Sequence, residues 1–370
     1  MNPTLSPPFR AEHVGSLLRP RALKEVGKAF QKGELSEVAY TAVLHQEIAR
    51  AVQLQESVGL RSITDGEFGR SSWFGFFFER MRGFELKPSR FRFHDAQGND
   101  YEWPTCYTCA KMERLAPICL DEFTRLQGLT QHTAKANMPS PSAFHFFRGD
   151  QCRNEAIYPD MDDWWQDLIA VYQAEIRDLA AAGCTYLQMD EVPAAMLCDP
   201  DIREQVRALG HNPEALLRKY IAVINEVLAV RPSHMTVGMH LCRGNFRSRW
   251  MAAGSYEPIA EAWFNEVNVD AFFLEYDSER AGGFEPLRQM GVDKQVVLGL
   301  ITSKQAELEN KDDLRRRLDE AAQFVPLARL SISPQCGFAS VAGGNALTEE
   351  EERRKLALVV EVAQLVWGEA

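Results

Sequence analysis

The feature that most constrains the fold is a regular alternation of short β-rich runs with longer amphipathic stretches. Candidate strands share this β-rich character and lie near residues 9–16, 62–67, 133–139, 186–191, 236–242, 270–277, 295–302 and 329–336. Helical patterns lie between them, at 38–58, 162–182, 213–229, 304–324 and 348–367. The last opens with Thr348 and Glu351, spaced as a capping box. Eight such repeats predict an α/β protein built as a single (β/α)8 TIM barrel, with residues 1–370 forming one catalytic barrel domain.

One stretch departs from this alternation. Residues 84–131 alternate polar and apolar side chains around a Gly-Asn pair at 98–99. This pattern predicts a β-hairpin followed by a short helix, inserted after the second strand. Such an insertion could cover the mouth of the barrel.

Charge and composition exclude several classes of partner. The 370 residues carry a net charge of −11, and no basic stripe is present, which argues against nucleic acid and anionic membrane surfaces. No apolar run approaches the roughly 18 residues that cross a bilayer. The first residues lack the apolar core of a signal peptide, so we expect a cytoplasmic protein. Eight irregularly spaced cysteines are expected there as free thiols or metal ligands.

Polar residues follow the apolar part of most predicted strands. TIM barrels carry their chemistry at the carboxyl ends of the strands. The residues at these positions are Ser16, Asp65, Glu67, Asp190, Glu191, His240, Cys242, Glu275, Asp277 and Cys336. Their recurrence at six of the eight predicted strands indicates a functional site at this face.

Four of these residues have the side chains that zinc prefers. His240 and Cys242 are two residues apart, so both side chains point to one side of a strand. Glu275 and Cys336 come from the next predicted strand and the last one. Ligands gathered from separate strand ends favour a catalytic zinc over a local Cys-x-x-Cys knuckle. In the alternative interpretation, His240 is a hydrogen-bonded core residue and both cysteines are buried fillers.

Other candidates surround these four. Glu67 and Asp190 would attract an amine at the barrel mouth, unless they cap turns or pair with arginines such as Arg70. Arg243 follows the His-x-Cys pair and could clamp an anionic group bidentately. Trp73 could form a wall of the site and stack on a flat donor, although core packing is the simpler interpretation.

A further pair of cysteines, Cys106 and Cys109, forms an isolated Cys-x-x-Cys in the predicted hairpin. A zinc ribbon would need a second such pair, which does not follow. We expect ordinary surface or rim cysteines, with a redox pair as the alternative.

The chain resembles the cobalamin-independent methionine synthase family, specifically its catalytic carboxyl-terminal barrel and short single-barrel relatives. The motifs that carry the resemblance are HVGS at 13–16, TDGEF at 64–68, QMDE at 188–191, HLC at 240–242, LEYDSER at 274–280 and QCG at 335–337. The resemblance implies that His240, Cys242, Glu275 and Cys336 bind a catalytic zinc. It also implies that homocysteine joins the zinc shell and receives a methyl group from a methyl-folate.

Further roles are implied by the same resemblance. Glu67 and Asp190 would hold the ammonium group of the substrate, and Ser16 would lie near its carboxylate. The family has a general-acid histidine near the end of the seventh strand, where this chain has Thr302. A threonine hydroxyl has no useful pKa for that task. The chain also has room for one barrel, whereas full-length family members have two.

Three functions remain open at this point. The first is methyl transfer to homocysteine or a similar amino-acid thiol, from methyl-folate, a corrinoid protein or another small methylated compound. The second is an epoxyalkane:coenzyme M-type transferase, which opens an epoxide with a zinc-bound thiol. The third is a non-enzymatic zinc-binding barrel; the metal-free porphyrinogen decarboxylases, a related barrel class, are disfavoured by the His-x-Cys motif. A homo-oligomer is compatible with all of them.

Overall fold

The computed structural model describes residues 6–94 and 99–370. The strands in this part of the chain are β1 (Ser62–Ile63), β2 (Met81–Pro88), β3 (Phe93–His94), β4 (Asp100–Tyr101), β5 (Pro104–Arg114), β6 (Thr133–Pro139), β7 (Tyr186–Glu191), β8 (Thr236–Leu241), β9 (Ala271–Glu275), β10 (Gln295–Ile301) and β11 (Leu330–Pro334). The α-helices are α1 (Arg21–Gln31), α2 (Glu37–Val58), α3 (Gly75–Glu79), α4 (Leu120–Gln127), α5 (Ala143–Phe146), α6 (Met161–Ala181), α7 (Pro193–Met196), α8 (Pro200–Ala208), α9 (Pro213–Leu228), α10 (Glu257–Glu266), α11 (Lys311–Ala321) and α12 (Glu349–Trp367). Short 3-10 turns lie at Gly149–Cys152, Glu279–Ala281, Glu285–Gln289 and Leu327–Arg329.

Seven strands form one curled parallel sheet in the order β1-β6-β7-β8-β9-β10-β11, with helices between them along the chain. The predicted α/β class and the parallel sheet are confirmed. Each central strand is buried along nearly its whole length, as expected of a parallel sheet covered by helices. Neighbouring strands end in register, since Asp190 pairs with His240 and Glu275 pairs with Gly299. This register brings the carboxyl ends of β7 to β10 to one edge.

The first predicted strand, 9–16, is reduced to a single bridge. Ala11 pairs in parallel with Ile332, and the Glu12 amide donates to the Ile332 carbonyl at 2.9 Å. On the other side of this segment, the Leu17 amide donates to the Gly66 carbonyl at 3.0 Å. Gly15 has φ +137°, which takes the chain out of strand geometry. The segment therefore lies between β11 and the residues after β1 without forming a full strand.

The helices follow the predicted positions with one clear shift. The capping box of α12 is confirmed, because Thr348 Oγ1 accepts from the Glu351 amide and Glu351 Oε2 accepts from the Thr348 amide. The helix predicted at 304–324 begins instead at Lys311. The Asn310 side chain accepts hydrogen bonds from the amides of Asp312 and Asp313, which fixes the helix start there. Residues 302–310 are left as a loop at the end of β10.

The insertion after β1 contains two antiparallel ladders and a short helix. β2 pairs with β5, and β3 pairs with β4 between them. Helix α4 follows β5. The ladder begins at Met81, three residues before the predicted start at 84, and Gly98 of the predicted turn lies outside the described residues. Within the described part of the chain, no helix is both long and apolar enough to cross a membrane.

Candidate metal centre

The predicted ligands come together at the carboxyl edge of the sheet. One ligand atom from each of His240, Cys242, Glu275 and Cys336 lies within 4.8 Å of all the others, and all four residues are buried. The two sulfur atoms are 3.6 Å apart and do not form a disulfide. The side chains of four residues that are distant in sequence therefore converge on a single point.

The strand ends determine this convergence. His240 lies in β8, and the amide of Cys242, just beyond it, donates to the Glu191 carbonyl at the end of β7 at 2.8 Å. Glu275 is the last residue of β9, and Cys336 follows β11 by two residues. Gly299 lets the chain pass close to these ends, because a Cβ there would lie 2.6 Å from the Cα of Gln335.

The donor set fits a metal ion. Both ring nitrogens of His240 are buried without a hydrogen-bond partner, and so is Oε2 of Glu275. Oε1 of Glu275 accepts from the Arg243 amide at 2.7 Å, which orients the carboxylate. Unpartnered buried polar atoms are costly unless something binds them. One nitrogen, two sulfurs and one carboxylate oxygen are ligands that zinc accepts.

The two thiols lie within hydrogen-bonding distance, and either sulfur could be the donor. This contact lowers the pKa of Cys336 well below its ordinary value and raises the pKa of Cys242. Metal binding requires thiolates, and a lowered thiol pKa favours that form.

A cavity of about 290 Å³ opens onto three of the four ligands, His240, Cys242 and Cys336. Ser16, Glu67, Trp73 and Asp190 also line this cavity. The structure thus brings together most of the residues that the sequence singled out. Gly337 makes room for Ser16, since a Cβ at position 337 would lie 2.0 Å from Ser16 Oγ.

Glu67 and Asp190 are buried carboxylates on the wall of this cavity. Burial raises the pKa of Glu67 to about 8 and that of Asp190 to about 6. Glu67 also has a left-handed backbone with φ 59°, a strained conformation for a residue with a side chain. The predicted pairing with an arginine is present as well, because Glu67 Oε1 lies 3.7 Å from Nη1 of Arg70. Glu67 is therefore anchored on one side and faces the cavity on the other.

Arg243 and Thr302 are not among the residues that line the cavity. Arg243 is 1% exposed, and its guanidinium lies over the ring of Tyr256, 4.3 Å from the ring centre. Thr302 uses its hydroxyl to accept from the Lys304 amide at 3.2 Å, and its own amide donates to Glu309. Substrate binding by Arg243 and a place for Thr302 among the catalytic residues both stay predictions.

Sequence reasoning missed two kinds of residue at this site. Lys304, two residues beyond Thr302, places its ammonium 3.8 Å from Oε2 of Glu275. Its position just after a predicted strand end could have identified it as a candidate site residue. Phe93 and Trp103 of the insertion also line the cavity. No pattern in the sequence separated them from other aromatic residues.

The remaining cysteines are free thiols. The expectation of a surface or rim position is wrong for Cys106, which is 1% exposed on β5 and has its thiol 3.8 Å from the Phe144 carbonyl. Cys109, three residues further along this strand, is half-buried. Residues three apart on a strand point to opposite faces, which accounts for the different exposure.

A parallel sheet with a His/Cys/Glu/Cys cluster at its strand ends defines a class of α/β proteins that can hold a metal ion beside a substrate cavity. Residues 9–365 match the family model described as cobalamin-independent synthase, catalytic domain. The chain belongs to this family. The predicted resemblance and the predicted enzyme class, a methyltransferase, are thereby confirmed.

Individual relatives are similar over most of this chain. The uncharacterized protein YxjH of Bacillus subtilis is 41% identical over 97% of this chain and 95% of its own length. The methionine synthase of Pyrococcus furiosus is 24% identical, over 88% of this chain and 85% of its own length. The crystal structure of a putative vitamin-B12-independent methionine synthase from Listeria monocytogenes is 33% identical. It has a TM-score of 0.76, with 98% of this chain and 99% of that one covered.

Proposed function

We propose that this protein is a zinc-dependent methyltransferase that methylates the thiol of homocysteine or a similar amino acid. Its catalytic domain is a single (β/α)8 barrel in which residues 9–16 take the place of the first strand. The observation that carries the proposal is one cavity that holds both a buried His/Cys/Glu/Cys cluster and two buried carboxylates. The cluster suits a metal that activates sulfur, and the carboxylates suit an ammonium group.

His240, Cys242, Glu275 and Cys336 would hold the zinc. Bound there, the ion would lower the pKa of a coordinating substrate thiol, as it does for cysteine ligands. The protein residues around it keep the ligands in place. The Glu191 carbonyl fixes the backbone of Cys242, and the Arg243 amide fixes the carboxylate of Glu275. Such supporting contacts orient ligands and tune a metal site.

The amino-acid end of the substrate would lie against Glu67, Asp190 and Ser16. Both carboxylates are more than nine-tenths buried, so an ammonium group between them would interact strongly in a low-dielectric surrounding. Arg70, 3.7 Å from Glu67, keeps that carboxylate in position without lining the cavity. The hydroxyl of Ser16, which accepts from the Ala339 amide at 3.4 Å, belongs to a residue that lines the same cavity.

The family match supports this assignment. Relatives named methionine synthase include one of similar length from Pyrococcus furiosus, so one barrel is compatible with that name. Opening of an epoxide by a sulfonated thiol, the alternative interpretation of the sequence, would need a cation for the sulfonate. Among the described residues that line the cavity there is no lysine or arginine, which favours an amino-acid thiol.

Zinc-edge X-ray absorption, with and without L-homocysteine, tests the proposal. We expect two sulfur ligands in the protein alone and three after addition of homocysteine. L-Homoserine, which has oxygen in place of sulfur, is the matched control and should leave the count at two. A sulfur count that stays at two with homocysteine would contradict the choice of substrate, and a protein that binds no zinc would contradict the whole proposal.

A further inference from the structure

Aromatic rings form a large part of the cavity wall away from the metal ligands. We call this surface the aromatic wall; its residues are Trp73, Phe74, Phe93, Trp103, Phe147 and Phe246. The insertion contributes Phe93 and Trp103, and the loop after β8 contributes Phe246. The Phe93 and Phe246 rings stack with centres 5.3 Å apart, which joins the two segments above the cavity.

Trp103 of the aromatic wall meets its neighbouring rings at large angles, whereas Phe93 and Phe246 lie at 30° and Trp73 and Phe74 at 37°. Trp103 and Phe147 have centres 4.5 Å apart and planes at 83°, and Phe93 meets Trp103 at 62°. The rings around Trp103 therefore do not form a slot with two parallel faces for a flat ligand. The indole nitrogen of Trp103 already donates to the Phe91 carbonyl at 3.1 Å, so this residue offers its π face.

The Asp, Glu, Lys and Arg side chains that line the cavity are all acidic, and the nearby cations Arg70 and Lys304 are not part of the lining of this cavity. Its acidic residues are Glu67, Glu79 and Asp190, and its lining includes no lysine or arginine among the described residues. Oδ1 of Asn245 is a buried hydrogen-bond acceptor without a partner, while the amide nitrogen of this residue donates to the Gly337 carbonyl. Carboxylates, a free acceptor and π faces all attract positive charge. A polyanionic donor would find no lysine or arginine among the described residues of this lining.

The size of the cavity also limits the donor. A volume of about 290 Å³ lies just below the range of roughly 300–1,000 Å³ for drug-sized ligand sites. The amino-acid thiol must occupy the part beside Glu67 and Asp190. The part against the aromatic wall therefore suits a compact group such as a methylated sulfur or nitrogen centre.

From these observations we infer that the methyl donor is a compact onium compound, with its positive charge against the aromatic wall. This inference rests on the proposed methyl transfer to an amino-acid thiol. The substrate sulfur, having lost its proton, attacks the donor methyl carbon; a new C–S bond forms as the bond from that carbon to the onium centre breaks. The bonding electrons stay on the leaving group, which departs as a neutral thioether or tertiary amine. The leaving group needs no proton. The reaction therefore needs no general acid at position 302, where this chain has a threonine.

Binding to the zinc-loaded protein tests the charge preference without catalysis. Choline and its uncharged isostere 3,3-dimethylbutan-1-ol form a matched pair, and trimethylsulfonium is the sulfur counterpart. We expect quenching of tryptophan fluorescence and calorimetric binding with both cations, at least about tenfold tighter than with the alcohol. Equal binding of choline and the alcohol would overturn the inference.

Variants locate this binding on the aromatic wall. Trp103→Leu keeps an apolar side chain but removes the π face and should weaken cation binding about tenfold, whereas Trp103→Phe should retain most of it. Glu79→Gln should weaken it several-fold. Glu102→Gln, an exposed neighbour paired with Arg92 at 2.9 Å, is the matched control and should change nothing. Unchanged binding in both Trp103→Leu and Glu79→Gln would overturn the inference.

Methyl transfer separates this inference from the proposed function. With L-homocysteine, trimethylsulfonium should give methionine and dimethyl sulfide, and a quaternary ammonium donor such as choline should give methionine and a tertiary amine. Transfer from either compound supports the inference, and the faster one identifies the onium element. If homocysteine enters the zinc shell but methyl groups come from methyl-folate or a methylated corrinoid protein alone, the inference fails and the proposed function stands. If homocysteine never enters the zinc shell, the proposed function fails.

Discussion

The two halves of the cavity are built in opposite ways. The metal half consists of side chains at the ends of β7, β8, β9 and β11, and they are held by backbone contacts between neighbouring strands. The aromatic wall consists of side chains from loops and the insertion, which contact one another by ring packing. The metal half is polar and buried, and the aromatic wall is apolar and partly open.

This difference separates two tasks. A metal site needs its ligand atoms to be held to within about 0.5 Å, and parallel strands can provide this precision. Loops that extend from the same scaffold can vary without disturbing the strand ends. We therefore expect changes in the metal half to abolish activity, and changes in the aromatic wall to alter the donor that is used.

Cys336→Ser should have the largest effect. A serine hydroxyl is a poor zinc ligand at neutral pH, so we expect this variant to lose its zinc. Methyl transfer should fall at least about 100-fold, which is more than the loss of a residue that only supports a ligand. Metal analysis together with an activity assay measures both. Cys109→Ser, at a half-buried thiol on the insertion, is the control and should retain zinc and activity. A Cys336→Ser protein with full zinc and full activity would contradict the assignment of the ligands.

Glu67→Gln should have the next largest effect, on substrate affinity. Removal of one buried charge beside the ammonium site should raise the KM for homocysteine roughly tenfold to hundredfold, with zinc retained. Steady-state kinetics and metal analysis measure these two quantities. Glu85→Gln, at an exposed position on β2, should leave both unchanged. An unchanged KM in Glu67→Gln would mean that the contact with Arg70 is the whole role of Glu67.

The pH dependence of substrate affinity should follow from the same carboxylates. Glu67, with a pKa of about 8, and Asp190, with a pKa of about 6, are neutral below these values and cannot attract an ammonium group. As pH falls from 8 to 6 the substrate stays an ammonium while these groups take up protons. The KM for homocysteine should therefore rise about tenfold over this interval in the unaltered protein. Glu67→Gln should flatten the upper part of the profile; an identical profile in both proteins would assign the titration to other groups.

The metal half could be predicted from the sequence because ligand chemistry coincided with strand ends. His240, Cys242, Glu275 and Cys336 each follow an apolar run, and register in a parallel sheet brings such positions together. The register of the strands is set by the backbone, and the hydrophobic pattern of the sequence shows where each strand ends. The prediction of the fold was weakest where the backbone leaves regular geometry, at Gly15 in the reduced first strand.

The directions in which side chains point beyond the strand ends could not be predicted from the hydrophobic pattern. Arg243 directly follows Cys242, yet its guanidinium turns onto Tyr256, away from the cavity. Trp103 of the insertion, distant in sequence from every ligand, lines the cavity instead. These outcomes depend on how loops pack over the sheet, and no local periodicity encodes that packing.

The smallest expected effect tests whether the insertion and the loop after β8 act as one unit. We expect Phe93→Leu and Phe246→Leu each to raise the KM for the methyl donor a few-fold, with the KM for homocysteine and zinc content unchanged. A double-mutant cycle on the free energy of unfolding should give a coupling of about 1 kcal/mol, since the rings stack at 5.3 Å. Phe30→Leu is the matched control, because Phe30 stacks on Tyr40 at 4.8 Å between α1 and α2, outside the cavity. It should lower stability without changing either KM. If the two variants at 93 and 246 behaved like this control, the aromatic wall would serve packing alone, and donor selection would have to reside in the metal half.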